Sequence, residues 1–377
     1  MFSAHDYAMM ARAIQLAWRG RYTTHPNPRV GCVLSTRDQI IGEGWHVRAG
    51  EPHAEINALR DAESALSDSG NSRVTAYVTL EPCCHHGRTP PCSQALIDAG
   101  IRQVVVATLD PNPLVAGQGV HQLRAQGIDV KTGLLESQAL ALNPGFFSRM
   151  QRGRPWVRVK LAMSLDGKTA MANGQSQWIT GAAAREDGHR LRAQASAVMT
   201  GSQTLLTDDP QLTVRLPGTV LSTQDTIRPR IIIDSRLQTP IDARLFKTSG
   251  PVWLFTHPSQ MINKKTWTSG TIPELIPIDC DDETGQLSLP AVMTELGHRQ
   301  INELHVEAGQ GLAGALLKYQ LVDELVIYTA SKLMGHHAMS LVHLPVEQMN
   351  ESVELKFKDI RQLGHDIRIV CQPDYSV

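Results

Sequence analysis

The sequence predicts an α/β protein built from two consecutive units. Strand-like and helix-like segments alternate over roughly the first 130 residues, and a second alternating series begins near residue 156. Between them lies the polar run Gln151-Arg152-Gly153-Arg154-Pro155, within a segment, Arg149–Pro155, whose composition suits a linker. A chain of 377 residues also has the length of about two or three domains. We therefore expect domains over residues 1–150 and 151–377.

In the first unit, apolar residues at helical spacing from Tyr7 to Trp18 predict an opening helix that ends by Gly20. The remaining predicted elements, in chain order, are strands Gly31–Ser35 and Ile40–His46, a helix from His53 to Leu66, strand Thr75–Leu80, helix Ser93–Ala99, strand Gln103–Thr108, a helix that ends at Gly127, and strand Ile128–Lys131. This order is typical of a layered α/β domain.

The second unit repeats the pattern with longer connections. Its predicted strands are Trp156–Ala162, Ala197–Thr200, Arg230–Asp234, Val252–Thr256, Glu303–Glu307 and Glu324–Thr329. The tail from Val353 to Cys371 alternates around a polar turn at Leu363–Asp366, which predicts a closing hairpin.

Composition and charge exclude several classes of protein. Hydrophobic residues make up 42% and charged residues 19% of the chain, which is ordinary for a globular protein. The net charge is −1, and residues 1–150 hold 13 basic and 13 acidic residues, so neither half has the basic face of a nucleic-acid binder. Apolar runs stay well below the ~18 residues of a membrane span, and Met1–Tyr7 lacks an export pattern. We expect a cytoplasmic protein without nucleic-acid or membrane partners.

Three of the six cysteines, Cys83, Cys84 and Cys92, fall within ten residues of one another, which favours metal binding over disulfides in such a chain. His53 begins a predicted helix, Cys83 follows a strand, and Cys92 lies where the next helix begins. One neutral imidazole and two thiolates form a three-ligand zinc set that leaves the fourth position to water.

Glu55 supplies the carboxylate that such a site needs for hydrolytic deamination. Zinc lowers the pKa of its water and generates a hydroxide nucleophile, but a neighbouring group must still move the proton. Side chains two apart on a helix diverge by ~200°, so Glu55 need not compete with His53 for the metal. The pattern His-x-Glu followed by Pro-Cys is typical of zinc nucleobase deaminases, although their cysteines lie closer together.

Two other interpretations of this cluster stay open on spacing alone. Cys84 rivals Cys83 as a ligand, and His53, Cys83, Cys84 and Cys92 together would make a closed structural zinc site. That second interpretation leaves Glu55 unexplained. His85 and His86 are expected to be loop residues or substrate contacts, because adjacent side chains in a turn diverge.

Residues 79–92, Thr-Leu-Glu-Pro-Cys-Cys-His-His-Gly-Arg-Thr-Pro-Pro-Cys, resemble the zinc loop of the bacterial bifunctional deaminase–reductase family of riboflavin biosynthesis. Residues 25–28, 50–55 and 110–117 resemble further motifs of that family. The resemblance accounts for the wide cysteine spacing and implies that Cys84 stands where the family has serine. It also implies a cytidine-deaminase-like three-layer α/β/α domain with a mixed sheet.

In the second half, residues 309–314 form a G-x-G-x-x-G string between a strand and the predicted helix Leu312–Leu321. Glycines at a helix start let backbone amides approach a phosphate. The acidic residue that holds a ribose in a Rossmann domain is missing after the next strand. The pattern alone therefore leaves two possibilities open, an anion-binding helix start and a tight strand-to-helix turn.

The second half is similar to the reductase domain of the same family, through residues 160–168, 176–180, 207–215 and 307–309. The resemblance implies a dihydrofolate-reductase-like α/β fold that uses NADPH. The residues it places at the cofactor are Ala162, Trp178, Thr204, Asp208, Ser235, Gly309, Gln310, Gly311, Leu312, Ala313, Gly314 and Ala315. Those it places at the substrate are Ser176, Arg192, Leu212, Arg215 and Glu307. Arg192 and Arg215 suit a sugar phosphate, and Lys160 is a candidate to hold the opened sugar.

The family implies two consecutive reactions: zinc-dependent deamination of 2,5-diamino-6-(5-phosphoribosylamino)pyrimidin-4-one, then NADPH-dependent reduction of the ribosyl group to ribityl phosphate. It also implies a homo-oligomer. Two hypotheses from other classes remain, a nucleic-acid deaminase with an appended binding domain and a non-catalytic, zinc-stabilised ligand-binding protein. A basic strand-binding surface would favour the first, and zinc without turnover would favour the second.

Overall fold

The computed structural model describes residues 1–37, 39–68, 73–84, 91–113, 115–216, 221–262, 267 and 270–376. The chain divides into two compact units, Met1–Gly153 and Arg154–Val377, close to the predicted break.

The first unit contains a five-stranded sheet with helices between its strands. The strands are β1 (Gly31–Ser35), β2 (Ile40–Trp45), β3 (Thr75–Val78), β4 (Gln103–Val106) and β5 (Asp129–Thr132). The helices are α1 (Ala4–Ala17), α2 (Ala54–Asp61), α3 (Glu63–Asp68), α4 (Cys92–Asp98), α5 (Gln118–Ala125), α6 (Glu136–Leu142) and α7 (Pro144–Arg152). The strand order is β2-β1-β3-β4-β5, with β1 antiparallel to both neighbours and β3, β4 and β5 parallel.

Both faces of this sheet are covered, as the prediction of three layers requires. Val33, Tyr77 and Val105 point to one face and pack against α1 and α6. The alternate residues of the same strands, among them Leu34 and Val104, pack on the other face against α2, α4 and α5. The predicted three-layer α/β/α unit with a mixed sheet is therefore confirmed.

Three local predictions need correction. The single helix expected from His53 to Leu66 is two helices, α2 and α3, and His53 lies before the first turn with extended backbone (φ −71°, ψ 168°). Helices α6 and α7 were not predicted, and α7 occupies part of the expected linker. It ends at Gly153, whose φ of 67° lies in the left-handed region that glycine adopts without steric cost.

The second unit is built on a nine-stranded sheet. The strands of the whole unit are β6 (Trp156–Ser164), β7 (Lys168–Ala170), β8 (Ala197–Gly201), β9 (Arg230–Ile233), β10 (Val252–Thr256), β11 (Glu274–Pro277), β12 (Glu303–Glu307), β13 (Glu324–Ala330), β14 (Met339–Ser340), β15 (Glu354–Leu363) and β16 (Asp366–Asp374). Its helices are α8 (Ala182–Gln194), α9 (Ser202–Asp208), α10 (Leu289–His298) and α11 (Gln310–Lys318). The order is β11-β10-β9-β8-β12-β6-β13-β16-β15, and β7 pairs with β14 separately. The predicted hairpin is present as β15 and β16.

Alternation along β6 and β12 decides where charge is buried. Val157, Val159, Leu304 and Val306 point into an apolar core with α10 and α11. The alternate residues are charged or polar and, because the strands are parallel neighbours, they meet in register, with His305 beside Arg158 and Glu307 beside Lys160. Helix α8 packs against β12. At β6 and β12 the sheet therefore has one apolar face and one face with a buried polar cluster.

Candidate active sites in the two units

The first candidate site brings together His53, Cys83 and Cys92. The Nδ1 atom of His53 lies 3.3 Å from Cys92 Sγ and 3.7 Å from Cys83 Sγ, and the three ligand atoms lie within 4.8 Å of one another. Tetrahedral zinc, with Zn–N of about 2.0 Å and Zn–S of about 2.3 Å, holds such atoms about 3.5 Å apart. The chemistry and spacing of this donor set therefore fit zinc.

The surroundings of Cys83 favour its thiolate form. A hydrogen bond with the Cys92 thiol and another with His53 lower the pKa of the Cys83 thiol to about 4, against the effect of burial. The backbone N–H of Cys92 also donates to Cys83 Sγ, at 3.3 Å. The thiolate is the form of cysteine that binds metal, so Cys83 is prepared as a ligand by its surroundings.

Glu55 lies in the first turn of α2 and its side chain is 3% exposed. Burial, and then the negative charge of Cys83, raise the pKa of the Glu55 carboxyl to about 7. His53 stays outside the helix, so the divergence of helical side chains used in the prediction does not apply. The two residues are separated because the backbone turns between the extended position 53 and the helical position 55.

Glu81 is a site residue to which the sequence reasoning gave no role. Its carboxylate is buried and accepts three backbone N–H groups, those of Asp110 (3.2 Å), Gly117 (2.9 Å) and Val120 (3.0 Å). A Cβ at Gly119 would lie 2.0 Å from the carbonyl oxygen of Pro82. These contacts hold the segment that carries Cys83 against the start of α5. An acid directly before Pro-Cys was the available sequence signal.

Cys84 does not belong to the three-residue ligand group found among the described residues. It lines a separate open pocket with Ala116, Gly117 and His121. The four-ligand structural interpretation therefore has no support from the described part of the chain. His85 and His86 lie outside the described residues.

Substituting Cys84 is expected to leave metal binding intact. Cys84→Ser should retain one zinc per chain and full deaminase activity, because its sulfur is not among the clustered ligand atoms. Cys83→Ser should lose most of the zinc and the activity, since a serine hydroxyl stays protonated and binds zinc poorly. Metal analysis of both purified variants measures this, and zinc loss in Cys84→Ser would contradict the assignment.

The second candidate site is a cavity of about 890 Å³ in the second unit. Of the predicted cofactor residues, those that line it are Ala162, Trp178, Thr204, Asp208, Gly309, Gln310, Gly311 and Leu312. All five predicted substrate residues line it as well, Ser176, Arg192, Leu212, Arg215 and Glu307. The sequence motifs thus converge on one space, which fits an extended nucleotide together with a small substrate.

Four predicted cofactor residues lie outside the lining of this cavity: Ser235, Ala313, Gly314 and Ala315. Helix α11 has its first turn at the cavity and then runs away from it, so Ala313 is buried in the apolar core. Ser235 follows β9, where its carbonyl accepts the backbone N–H of His257.

Gly314 has a packing role that explains the third glycine of the motif. A Cβ at this position would lie 2.0 Å from the backbone oxygen of His343, in the segment that crosses α11. The His343 N–H also donates to the Gln310 carbonyl, at 3.0 Å. Glycine is therefore required here for the close approach of two backbones.

Gly314→Ala is expected to destabilise the second unit by about 1–3 kcal/mol, because backbone cannot yield as a side chain can. Gly311→Ala is the matched control, since a Cβ there meets nothing within 4 Å. It should be neutral or slightly stabilising in a helix. Urea unfolding followed by tryptophan fluorescence compares the two, and equal stability would show that the segment at His343 moves freely.

Two residues that line the cavity, Arg192 of α8 and Glu307 of β12, form a bidentate ion pair. Nε of Arg192 donates to Oε1 of Glu307, and Nη2 donates to Oε2. Although burial opposes it, Arg192 holds the pKa of the Glu307 carboxyl well below its usual range. His305 Nε2 lies 3.2 Å from Glu307 Oε1. The guanidinium of Arg192, which the sequence predicted to bind a sugar phosphate, is thus paired with a carboxylate of the protein.

Lys160 is half-buried and lines the cavity beside this pair, and its Nζ lies 5.7 Å from the ring centre of Tyr328. Burial lowers the pKa of the Lys160 ammonium, against the attraction of Glu307. An ammonium of lowered pKa that lines the cavity can donate a hydrogen bond or a proton to a sugar oxygen.

A histidine–dithiolate cluster beside a buried carboxylate defines a zinc-dependent deaminase, and a strand–glycine–helix cavity lined by a half-buried lysine suits a nucleotide-dependent reductase. Residues 3–108 match the family described as the cytidine and deoxycytidylate deaminase zinc-binding region, and residues 155–369 match the RibD C-terminal domain. The chain belongs to the RibD family of bifunctional deaminase–reductases of riboflavin biosynthesis. Its cofactors are zinc and NADPH.

Relatives match over nearly the whole chain. The riboflavin biosynthesis protein RibD of Escherichia coli is 48% identical over 370 residues, which cover 96% of this chain and 98% of that protein. The solved structure of Acinetobacter baumannii RibD has a TM-score of 0.86 at 41% identity, covering 98% of this chain and 99% of that one. A deaminase/reductase structure from Thermotoga maritima has a TM-score of 0.84 at 32% identity, with the same coverage.

Proposed function

We propose that the unit over residues 1–150 deaminates 2,5-diamino-6-(5-phosphoribosylamino)pyrimidin-4-one and that residues 151–377 reduce the ribosyl group of the product. When bound, zinc activates water and NADPH supplies the hydride. The observation that carries the deaminase assignment is the buried Glu55 beside His53, Cys83 and Cys92. Glu55 accepts the proton of the attacking water and passes it to the departing amine, so water and the amine become the ring carbonyl and ammonia.

In the second unit, Trp178 and the first turn of α11 would hold the cofactor, since both line the cavity. Lys160 donates to the sugar oxygen at the carbon that receives the hydride. The Glu307 carboxylate attracts the ammonium of Lys160, and Arg192 holds that carboxylate in place. The opened ribityl chain carries one added hydride and one added proton.

The experiment uses the purified full chain with the diaminopyrimidine ribotide, with and without NADPH. Ammonia is expected in both reactions, and NADPH oxidation only after a lag in which deaminated product accumulates. Immediate NADPH oxidation without ammonia would contradict the assignment of the units. Zinc retention without any turnover would favour the non-catalytic ligand-binding hypothesis, and salt-dependent oligonucleotide binding would favour the nucleic-acid deaminase.

We also propose a homo-oligomer, formed through β15. This ten-residue strand lies at the edge of the sheet and pairs only with β16 among the described strands. Eight of its ten residues are exposed, including Phe357 at 66% and Ile360 at 59%. A long exposed edge with apolar side chains is a site of strand pairing between chains. Light scattering should report a dimer for the native chain and a monomer for Ile360→Lys. Monomeric native protein would contradict the proposal.

No helix among the described residues has both the length and the apolar character needed to cross a membrane. None of the six cysteines forms a disulfide. We propose a cytoplasmic location, since a reducing compartment preserves such thiols.

A further inference from the structure

Five cationic side chains line the reductase cavity: Lys160, Arg185, Arg192, Arg215 and Arg244. They differ in the protein groups that contact their charged ends. Arg192 is paired with a carboxylate, and Lys160 lies beside the same carboxylate. A protein carboxylate therefore already faces both of these cations.

Arg185 is held by other groups. Its guanidinium lies 4.6 Å from the ring centre of Trp178, and its Nη1 donates to the Thr180 carbonyl at 2.7 Å. This stacked position keeps it on the wall of the cavity.

Arg215 and Arg244 have no carboxylate partner among the ion pairs of the described residues. The guanidinium of Arg215 contacts neutral groups, Gln211 Oε1 at 3.3 Å and His189 Nε2 at 3.2 Å. Burial and the charges of Arg192 and Arg215 lower the pKa of His189 to about 4, so this imidazole is neutral near pH 7. Of the two described carboxylates that line the cavity, Glu307 pairs with Arg192 and Asp208 accepts from the Ser176 hydroxyl, so neither forms an ion pair with Arg215 or Arg244.

The backbone of Arg244 is anchored, and its exposed side chain lines the cavity. Its N–H donates to Asp209 Oδ1 at 2.8 Å, which ties the turn at residues 244–247 to the loop after α9. Burial, and then the positive charges of Arg192 and Arg244, lower the pKa of Arg215. The two arginines therefore repel each other, and an anion between them would remove that repulsion.

We propose that Arg244 is a phosphate-binding residue of the reductase cavity and that Arg215 and Arg244 together hold a phosphate monoester. The inference rests on the proposed function, which brings two such groups to this cavity, the 5′-phosphate of the pyrimidine substrate and the 2′-phosphate of NADPH. Both present a compact dianion that two guanidinium groups bind through charge-assisted hydrogen bonds. Arg192 contributes to phosphate binding only indirectly, because its guanidinium is already bound to the Glu307 carboxylate.

The test compares Arg244→Gln and Arg244→Lys with Lys247→Gln in the full chain. Lys247 is an exposed cation of the same turn that does not line the cavity. Loss of one charge-assisted contact is expected to raise the KM of the phosphate-bearing ligand about 10- to 100-fold, with kcat little changed. Arg244→Lys should recover part of the loss, and Lys247→Gln should behave as the native protein.

Matched ligands separate the two sources of phosphate. If the substrate phosphate is bound, Arg244→Gln should weaken the ribotide and leave its dephosphorylated riboside unaffected. If the cofactor phosphate is bound, it should weaken NADPH and leave NADH unaffected. Equal effects on ligands with and without phosphate, or no effect on any of them, would overturn the proposal.

A binding measurement keeps the inference distinct from the proposed function. Calorimetric titration should show that the native chain prefers ribose 5-phosphate to ribose, or adenosine 2′-phosphate to adenosine, and that Arg244→Gln loses this preference. Inactive native protein that retains the preference would overturn the reaction and leave the phosphate site standing. Retention of the preference by Arg244→Gln would overturn the phosphate site.

Discussion

Glu55→Gln should abolish deamination while leaving reduction intact. Glutamine keeps the shape of the side chain but can neither accept the proton of the attacking water nor return it to the amine. Positioned proton transfer contributes about 10²- to 10⁴-fold to such rates, so kcat for ammonia release should fall by that factor. The zinc content should stay at one per chain, since Glu55 is not among the clustered ligand atoms.

The second substrate provides the control for this variant. Supplied with separately prepared deaminated ribotide, Glu55→Gln should oxidise NADPH at the native rate, as should Glu55→Ala. Loss of both activities in a folded, zinc-loaded variant would mean that the two chemistries share one site. Native deamination by Glu55→Gln would show that another group carries the proton.

Glu307→Gln should impair reduction while leaving deamination intact, which is the reverse of Glu55→Gln. Among the changes in the second unit it should have the largest effect on activity and stability. The change removes the carboxylate that Arg192 and His305 share and leaves Lys160 and Arg192 without a balancing anion. Breaking a buried ion pair on one side costs about 3–5 kcal/mol. Reduction should fall about 10²-fold or more, because Lys160 and Arg192 lose the group that positions them. Ammonia release by the same protein should stay at the native rate.

Glu186→Gln is the matched control on α8. Glu186 pairs with Arg190 on the exposed side of the helix, where both side chains are about half exposed. Such a pair contributes only about 0.3–0.5 kcal/mol. Urea unfolding and NADPH oxidation should therefore distinguish the two variants clearly. Native rates of reduction in Glu307→Gln would contradict the role given to the ion pair.

Acid should weaken the same ion pair. The pKa of the Glu307 carboxyl is depressed in the folded chain, so its stabilising contribution is complete above the ordinary value of 4.5 and is lost as the pH falls through the folded value. Glu307→Gln has no carboxylate at this position, so its stability does not include this pH-dependent contribution. The stability difference between native protein and variant should shrink steadily below about pH 4.5.

The sequence by itself predicted the residues that the structure brings together at the candidate metal site. His53, Glu55, Cys83 and Cys92 lie at the ends of short elements, and their residue types state the chemistry. Spacing left Cys84 open as a ligand, because two adjacent thiols differ only in the direction of their side chains. The fold decided this when the turn after β3 placed Cys83 toward His53 and Cys84 toward a separate pocket.

Glycine patterns were ambiguous for a similar reason. Residues 309–314 match a phosphate-binding string, but only the early part of α11 lines the cavity. The last glycine of the string, Gly314, is required because the backbone at His343 passes close to it. His343 is outside the motif, so the local sequence pattern could not predict this contact.

The charged cluster of the reductase cavity depended on tertiary structure most of all. Alternation along β6 and β12 predicts which residues share a face, so Lys160 and Glu307 could each be placed on the charged side of a strand. Their meeting depends on the parallel register of the two strands, and Arg192 joins them because α8 crosses that face. Sequence thus determined which groups could react, since residue type and local spacing are written in it. Tertiary structure decided which charges are already paired and which remain for a ligand, because that depends on contacts between segments distant in the chain.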